Sequence, residues 1–477
     1  MSPSPPTTLS PARPGTDPGS FRDPAGFVFR RDGELYRQVN TSYRPAYDLL
    51  MGSGLYEHLT ERGLLVRHDE ADIDLASDSR AYKIIRPRRV EFIGYPFEWC
   101  FSQLQDSALA TLDIQEAALA LGMSLKDANA GNIQLIDGRP ALIDTLSFEP
   151  YEEGFPWVAY RQFCQHFLAP LALMSRTDIR LGQLLLAILD GVPLDLAVRL
   201  LPFRSRLNPG LFMHLHLHAR GQRRHMHHVT NRESLRGRMN LRKLLALIGS
   251  LRSTVRKLRW NPGGSDWADY YQRDSYTGTA LEQKKKLVVA MLAGLDPGPV
   301  WDLGANTGEF SRIALARGDS VVSLDFDPGA VEINYRQMTR DGESGLFPLV
   351  ADLTNPTPST GWVNAERRSL LERGPAQTVI ALALTHHLAI SNNVPFTGIA
   401  AFFAGLTRHL IVEFVPADDP MAARLLSMRN HDFPDYTVEA FEAALGAAFT
   451  IRRREPIPNS RRVLYLMENG SDASTSG

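Results

Sequence analysis

The chain has 477 residues, 44% hydrophobic and 22% charged, which places it in the ordinary globular range and suggests two or three domains rather than one. Its 52 lysines and arginines against 53 aspartates and glutamates leave a net charge of −1. That balance argues against a protein built to coat nucleic acid, because phosphate binding needs a surplus of cations. Two cysteines, Cys100 and Cys164, cannot make a disulfide framework and suit a reducing compartment. No run approaches the roughly 18 apolar residues of a membrane span, and no basic region followed by an apolar one opens the chain, so a cytoplasmic protein is expected.

Residues 1–24 are crowded with Pro, Ser, Thr and Gly and are expected to be a disordered tail. An N-terminal α+β block follows, over residues 25–218. Phe27-Val28-Phe29 and Leu35 to Val39 suit the first strands of a small lobe, and Ala108 to Leu121 a helix. Within LKDANAGNIQLIDGRPALIDTLSF (125–148), Asp127 is followed five residues later by Asn132, and an apolar strand ends in Asp144. This pattern resembles the protein-kinase-like phosphotransferases, and the resemblance implies Asp127 as base with Asn132 and Asp144 as magnesium ligands. The departures are specific. No glycine-rich loop is present, Arg37 stands where a strand lysine is expected, Lys83 is a distant substitute, and Leu125-Lys126-Asp127 replaces His-Arg-Asp. Mg-ATP is therefore a cofactor only if this domain is active; the alternative is that Asp127 and Asn132 cap turns. Aromatic runs at 95–99 and 155–160 fit core packing or a sugar-binding floor. His214, His216, His218, His225, His227 and His228 cluster without an acid or cysteine, and no metal site is expected.

Residues 219–264 form a basic joint in which Glu233 is the only acid. Leu241, Leu244, Leu245, Leu247, Ile248 and Leu251 recur at helical spacing, so part of it is an amphipathic helix with a cationic face. It is either a solvated linker helix packed on one domain or a contact for an anionic substrate or membrane surface. Asn261-Pro262-Gly263-Gly264 ends it.

The C-terminal block, 265–468, alternates strands and helices. The run Val300 to Gly304 reads as a buried strand ending in a turn, then Ala305-Asn306-Thr307-Gly308, then a helix from Glu309. The pattern D-x-G-x-x-x-G places Asn306 where a dinucleotide fold has glycine, which disfavours pyrophosphate. Later strands end at Asp325, at Asp352, in Thr378 to Leu384 running into Thr385-His386-His387-Leu388, and at Leu410 to Val415 with Glu413. A helix over 437–449 and a hairpin around 456–460 close the block, and residues 469–477 are an expected tail.

DLGANTG (302–308), SLD (323–325), VAD (350–352), the THHL segment and the terminal hairpin together resemble the class I, Rossmann-like S-adenosylmethionine-dependent methyltransferases, with a seven-stranded sheet. The resemblance implies that Asp302, Gly304, Asn306 and Gly308 surround the methionine and ribose of the cofactor, Asp325 its ribose hydroxyls and Asp352 its adenine. His386 or His387 is the candidate general base, with Glu413 a weaker one; the histidine pair could instead only shape the pocket floor. Across 27–467 the chain also resembles the NoeA-like host-specific nodulation methyltransferases, through EWCFSQL, SLKDANAGNIQ, IDTLSF, WVAYRQFCQHFLAPLAL, RDSYT, DLGANTG, ALTHHLAISNNVP and EFVP. The same two domain types, in reverse order, occur in enzymes that cap O-antigen polysaccharides. The expected activity is methyl transfer to an oxygen or nitrogen of a small-molecule or glycan-like acceptor. A bifunctional methyltransferase and kinase, a cofactor-binding regulatory module without turnover, and an RNA substrate are the alternatives.

Overall fold

The computed structural model describes residues 15–225, 237, 239–263, 278–430 and 433–470. It divides into two compact units, Met1–Trp260 with Ser359–Arg368, and Asn261–Pro358 with Ser369–Gly477. Residues 1–14, RDSYT, His227, His228 and residues 471–477 lie outside the described residues.

Among the described residues the second unit is built on a seven-stranded sheet. Its strands are β9 (Val300–Leu303), β10 (Val321–Asp325), β11 (Leu346–Val350), β12 (Ala376–Ala381), β13 (Thr407–Phe414), β14 (Phe449–Pro456) and β15 (Val463–Asn469). Their spatial order is β11-β10-β9-β12-β13-β15-β14. Pairings among β9 to β13 are parallel, and β15 runs antiparallel to both β13 and β14. Every residue of β9 and β10 is buried, as strands covered on both faces must be. Strand order reverses between β10 and β12 on either side of β9, and the carboxyl ends there form the crevice where open α/β sheets bind ligands. Register puts Leu324 beside Leu303 and Asp302 beside Ile380, so the ends of the three strands converge. Strand β12 stops at Ala381, earlier than its apolar run suggests. Ala383 adopts φ 50° where its N–H donates to Glu413 Oε2 at 2.7 Å, which turns the chain out of the sheet.

The first unit opens with a four-stranded antiparallel sheet, order β1-β2-β4-β3, from β1 (Gly26–Arg31), β2 (Glu34–Asn40), β3 (His68–Ala71) and β4 (Ala81–Pro87). Asp32 and Gly33 join β1 to β2 with φ of 53° and 80°, the two-residue turn that continues strand twist. This tight hairpin leaves no loop to cover a phosphate. Helix Phe101–Ala120 follows, then short strand pairs: β5 (Met123–Leu125) with β8 (Phe148–Pro150), and β6 (Ile133–Ile136) with β7 (Arg139–Leu142).

Several expected boundaries move. Residues 15–24 are not a free tail. Asp17 N donates to Val28 O at 2.8 Å, Arg30 N to Gly15 O at 2.9 Å, and Asp23 holds Arg37 at 2.9 Å. The free edge of β1 supplies backbone partners that composition cannot reveal. The helix of the basic joint, Leu241–Lys257, packs on Phe101–Ala120, with Arg252 reaching Asp113 at 2.7 Å and Glu116 at 2.6 Å. It is part of the first unit rather than a separate linker. Ser359–Arg368 also counts with the first unit, where Arg368 N donates to the Tyr95 hydroxyl at 2.7 Å. Asn469 ends β15 instead of starting a tail.

Gly308 has φ 80°, and a Cβ there would lie 2.4 Å from Asn334 Oδ1 and 2.7 Å from an Arg312 guanidinium nitrogen. Gly308→Ala is expected to destabilise the chain by about 1–3 kcal/mol, read as a lowered thermal midpoint.

Candidate functional site

The crevice at the strand ends is a cavity of about 390 Å³, a volume within the range of small-molecule sites. Asp302 in β9 and Gly304 and Asn306 after it line the cavity, with Asp325 at the end of β10, Phe326 after it, and Asp352, Leu353 and Thr354 after β11. Leu382, Ala383, Leu384, His387, Leu388, Ser391 and Asn392 close the side beyond β12. Gly304 has φ 75° and Asn306 φ 51°, so the loop takes two left-handed steps, one by glycine and one by the side chain that best tolerates them.

The carboxylates are set differently. Asp302 Oδ2 accepts from Ser311 Oγ at 2.6 Å, and burial pushes its pKa up to about 7. Asp325 accepts from Asn306 N at 2.7 Å and Asp327 N at 2.9 Å, and burial raises its pKa to about 6. Asp352 is exposed at the rim, where its Oδ1 takes Thr354 N at 2.8 Å and Thr354 Oγ1 at 2.6 Å.

Gly308 does not line the cavity; its backbone caps helix Glu309–Ala316 against Asn334. Of the two histidines, His387 lines the cavity and His386 does not. Adjacent residues on a helical turn do not face the same way. The π-helical turn His387–Ser391 begins at this pair and directs His386 into the core, fully buried, with neither ring nitrogen hydrogen-bonded. Their ring centroids are 4.1 Å apart. Burial holds His387 down to about 4 and His386 well below its usual value, so both are neutral near pH 7.

Glu413 is not a cavity residue either. It is buried against Lys284 Nζ at 2.6 Å and accepts from Ala383 N, with Arg462 at 3.6 Å. Lys284 itself lines the cavity, from helix Gly278–Leu292, 4.9 Å from the Phe310 ring. Burial lowers its pKa. Sequence reasoning missed Lys284, Phe310, Phe326, Leu353 and Leu384. Lys284 sits in a helix before the first strand with no motif around it, whereas Phe326 follows Asp325 directly and was within reach.

In the first unit, Asp127 and Asn132 meet, Asn132 Nδ2 donating to Asp127 Oδ2 at 3.1 Å. Gln162 and Asn129 N also donate to Asp127, whose pKa burial raises. Asp144 is held by Arg37 at 2.7 Å, by Ser147 Oγ at 2.6 Å and by Leu146 N at 2.9 Å. Lys83 pairs instead with Glu70 at 2.6 Å. His214 bonds the Tyr160 hydroxyl and Ser250, both at 2.9 Å, and His216 bonds Ser205 at 3.0 Å. Among the described residues no group of three His, Cys, Asp or Glu side chains could hold a metal ion.

The strand order, with its reversal beside β9 and its antiparallel closing hairpin, defines a class I, Rossmann-like methyltransferase fold. The chain belongs to the NoeA family: it is 35% identical to the nodulation protein NoeA of Rhizobium meliloti (strain 1021) over 462 residues, 96% of each chain. No protein-family model matches it. Among solved structures, WbdD aligns at 17% identity over 43% of this chain, with TM-score 0.28; the match spans 43% of WbdD, less than half its length. The magnesium protoporphyrin IX methyltransferase of Synechocystis PCC 6803, solved with SAH, aligns at 20% identity over 44% of this chain and 95% of its own, with TM-score 0.32.

Lys284→Met takes from the buried Glu413 carboxylate the cation 2.6 Å from it and should cost about 3–5 kcal/mol. The double variant Lys284→Met/Glu413→Gln should cost less than that single change in denaturant unfolding. Additive losses would mean the pair is not coupled.

Proposed function

We propose that the second unit binds S-adenosylmethionine and transfers its methyl group to an oxygen or nitrogen of a small-molecule or glycan-like acceptor, and that the first unit serves acceptor presentation. The observation that carries this reading is the gathering of Asp302, Asp325 and Asp352 from three successive strand ends around one cavity at the switch point of the sheet. The donor chemistry fits the cofactor. Asp325 would accept from ribose hydroxyls, Asp352 at the rim would meet the adenine edge, and Phe326 and Leu353 offer apolar faces to the ring. Asp302 and Asp325 favour the cationic end, and Lys284 is the one lysine or arginine among the described lining residues.

When bound, the cofactor supplies an electrophilic methyl group on sulfonium. This chain's own residues then have to align the acceptor and exclude water. His387, neutral at the cavity wall, would take the acceptor's proton. His386 and Glu413 would act behind it, fixing the turn on which it stands.

A kinase activity in the first unit is the second reading. Against it stands Arg37, whose guanidinium already neutralises Asp144, the carboxylate such chemistry would give to magnesium. Magnesium-dependent ATP hydrolysis lost in Asp144→Ala would restore that reading. Binding of the cofactor without turnover in cell extract would favour a regulatory module.

Calorimetric titration of S-adenosylmethionine should give micromolar binding to the full chain and none to Asp325→Ala. No binding to the unsubstituted chain, with extract present to supply acceptor, would sink the proposal. Because the cofactor prefers ionised Asp302 and Asp325, affinity should rise with pH through the range of their pKa values and level off above it. Asp325→Asn should make the rise shallower by removing one of the two ionisations. In labelled methyl transfer to extract, His387→Gln should lower turnover about 10²–10⁴-fold while retaining cofactor affinity.

A further inference from the structure

A basic, apolar stretch in the first unit does not line the cavity. It comprises helix Leu194–Leu200, the 3-10 turn Phe203–Leu207 and the π-helix Phe212–Leu217. Large apolar side chains stand in water there: Phe203 is 71% exposed, Leu207 76%, Met213 48% and Leu217 46%. They are not loose. Ser205 Oγ and His216 Nε2 are 3.0 Å apart, which pins the 3-10 turn to the π-helix, and Asn208 Oδ1 caps the next turn through Leu211 N at 3.0 Å. The inward side chains of both segments, Ser205, His214, Leu215 and His216, are buried, and the Ser205–His216 contact holds the two segments side by side. Met213 and Leu217, four apart, lie on the same side of their helix.

Asp195, in the first turn of helix Leu194–Leu200, is the one acid of this stretch, and the charges that follow it are positive. Arg199, Arg204, Arg206 and Arg220 are exposed, and Arg206 lies 5.1 Å from the Phe203 ring. Burial lowers the pKa of His216, and the charges of Arg206 and Arg220 add to that. The chain has no aspartate or glutamate between Asp195 and Glu233. Thr177 Oγ1 donates to Leu200 O at 3.2 Å, and its neighbour Asp178 is already neutralised by Arg180 at 2.7 Å. For a protein of net charge −1 this cationic surface is local.

We propose that this face docks the protein on an anionic phospholipid bilayer, with Phe203, Leu207, Met213 and Leu217 entering the boundary between headgroups and acyl chains and Arg199, Arg204, Arg206 and Arg220 lying among the headgroup phosphates. The pairing of exposed apolar side chains with arginines is what an interfacial site needs, since each half meets its complement at the same depth. RNA would satisfy the arginines but leave Leu207, Met213 and Leu217 in water. The acceptor of a membrane-docked transferase would then be reached at the lipid surface, although the docking stands independently of the methyl transfer.

The test is co-sedimentation of the full chain with vesicles of phosphatidylcholine alone and of phosphatidylcholine with phosphatidylglycerol. The chain should sediment with the anionic vesicles, and both Phe203→Ser/Leu207→Ser and Arg204→Glu/Arg206→Glu should weaken this about tenfold or more. These side chains are exposed, so an unchanged thermal midpoint and unchanged S-adenosylmethionine binding in the same variants show that the fold and the cavity are intact. High salt should reduce binding only in part, because the apolar contribution is not screened. Absence of sedimentation, equal sedimentation with neutral vesicles, or RNA binding abolished by the arginine variant without any vesicle binding would each overturn the proposal.

Discussion

The second unit depends on a chain of buried charges that begins at Lys284. Its ammonium and the Glu413 carboxylate are 2.6 Å apart with almost no access to water. Two such groups are stable in the interior only when their remaining hydrogen-bonding capacity is met. Glu413 meets it by accepting from Ala383 N, and by approaching Arg462, which in turn holds Asp419 at 2.8 Å. Asp419 caps helix Pro420–Ser427 through Met421 N at 3.0 Å. A helix ahead of the sheet, the exit of β12, the end of β13, a following helix and the entry to the closing hairpin are thus tied to one charge cluster. The turn that carries His387 starts two residues beyond Thr385, whose hydroxyl donates to Glu413 O at 3.0 Å. The turn that carries His387 is thus anchored on Glu413 twice, through the carboxylate that takes Ala383 N and the backbone carbonyl that takes the Thr385 hydroxyl.

That dependence explains which parts of the site were legible in the sequence. Asp302, Gly304, Asn306, Asp325 and Asp352 were legible because strand ends are marked locally: an apolar run, a carboxylate, then a turn with left-handed positions. Spacing alone brings such residues together once the strands are parallel. Glu413 shared that local signature and was read as a candidate base, yet its partner Lys284 lies 129 residues away. No local pattern distinguishes a carboxylate aimed at a ligand from one aimed at a buried lysine. The same holds for His386 and His387, which differ only by a rotation about a helical turn that the sequence does not specify. The edge of β1 that captures residues 15–24 is likewise a tertiary fact, since a Pro- and Ser-rich segment needs only an open row of backbone partners to become ordered.

The two carboxylate clusters of the chain are handled in opposite ways, and this bears on what each unit can do. In the second unit, burial raises Asp302 and Asp325, and neither carboxylate has a salt-bridge partner among the described residues. In the first unit, Asp144 has a guanidinium on it already. Arg37 also binds Asp23, from the segment captured at the edge of β1. An arginine held between two carboxylates is fixed by two directional contacts and cannot be deprotonated. A divalent cation on Asp144 would have to displace it and leave the guanidinium with Asp23 as its remaining carboxylate of the two. The departure from a strand lysine to Arg37, visible in the sequence as a mismatch, thus becomes in the structure a lock. It ties strand β2 to the loop that carries Asp144 and to the segment that carries Asp23.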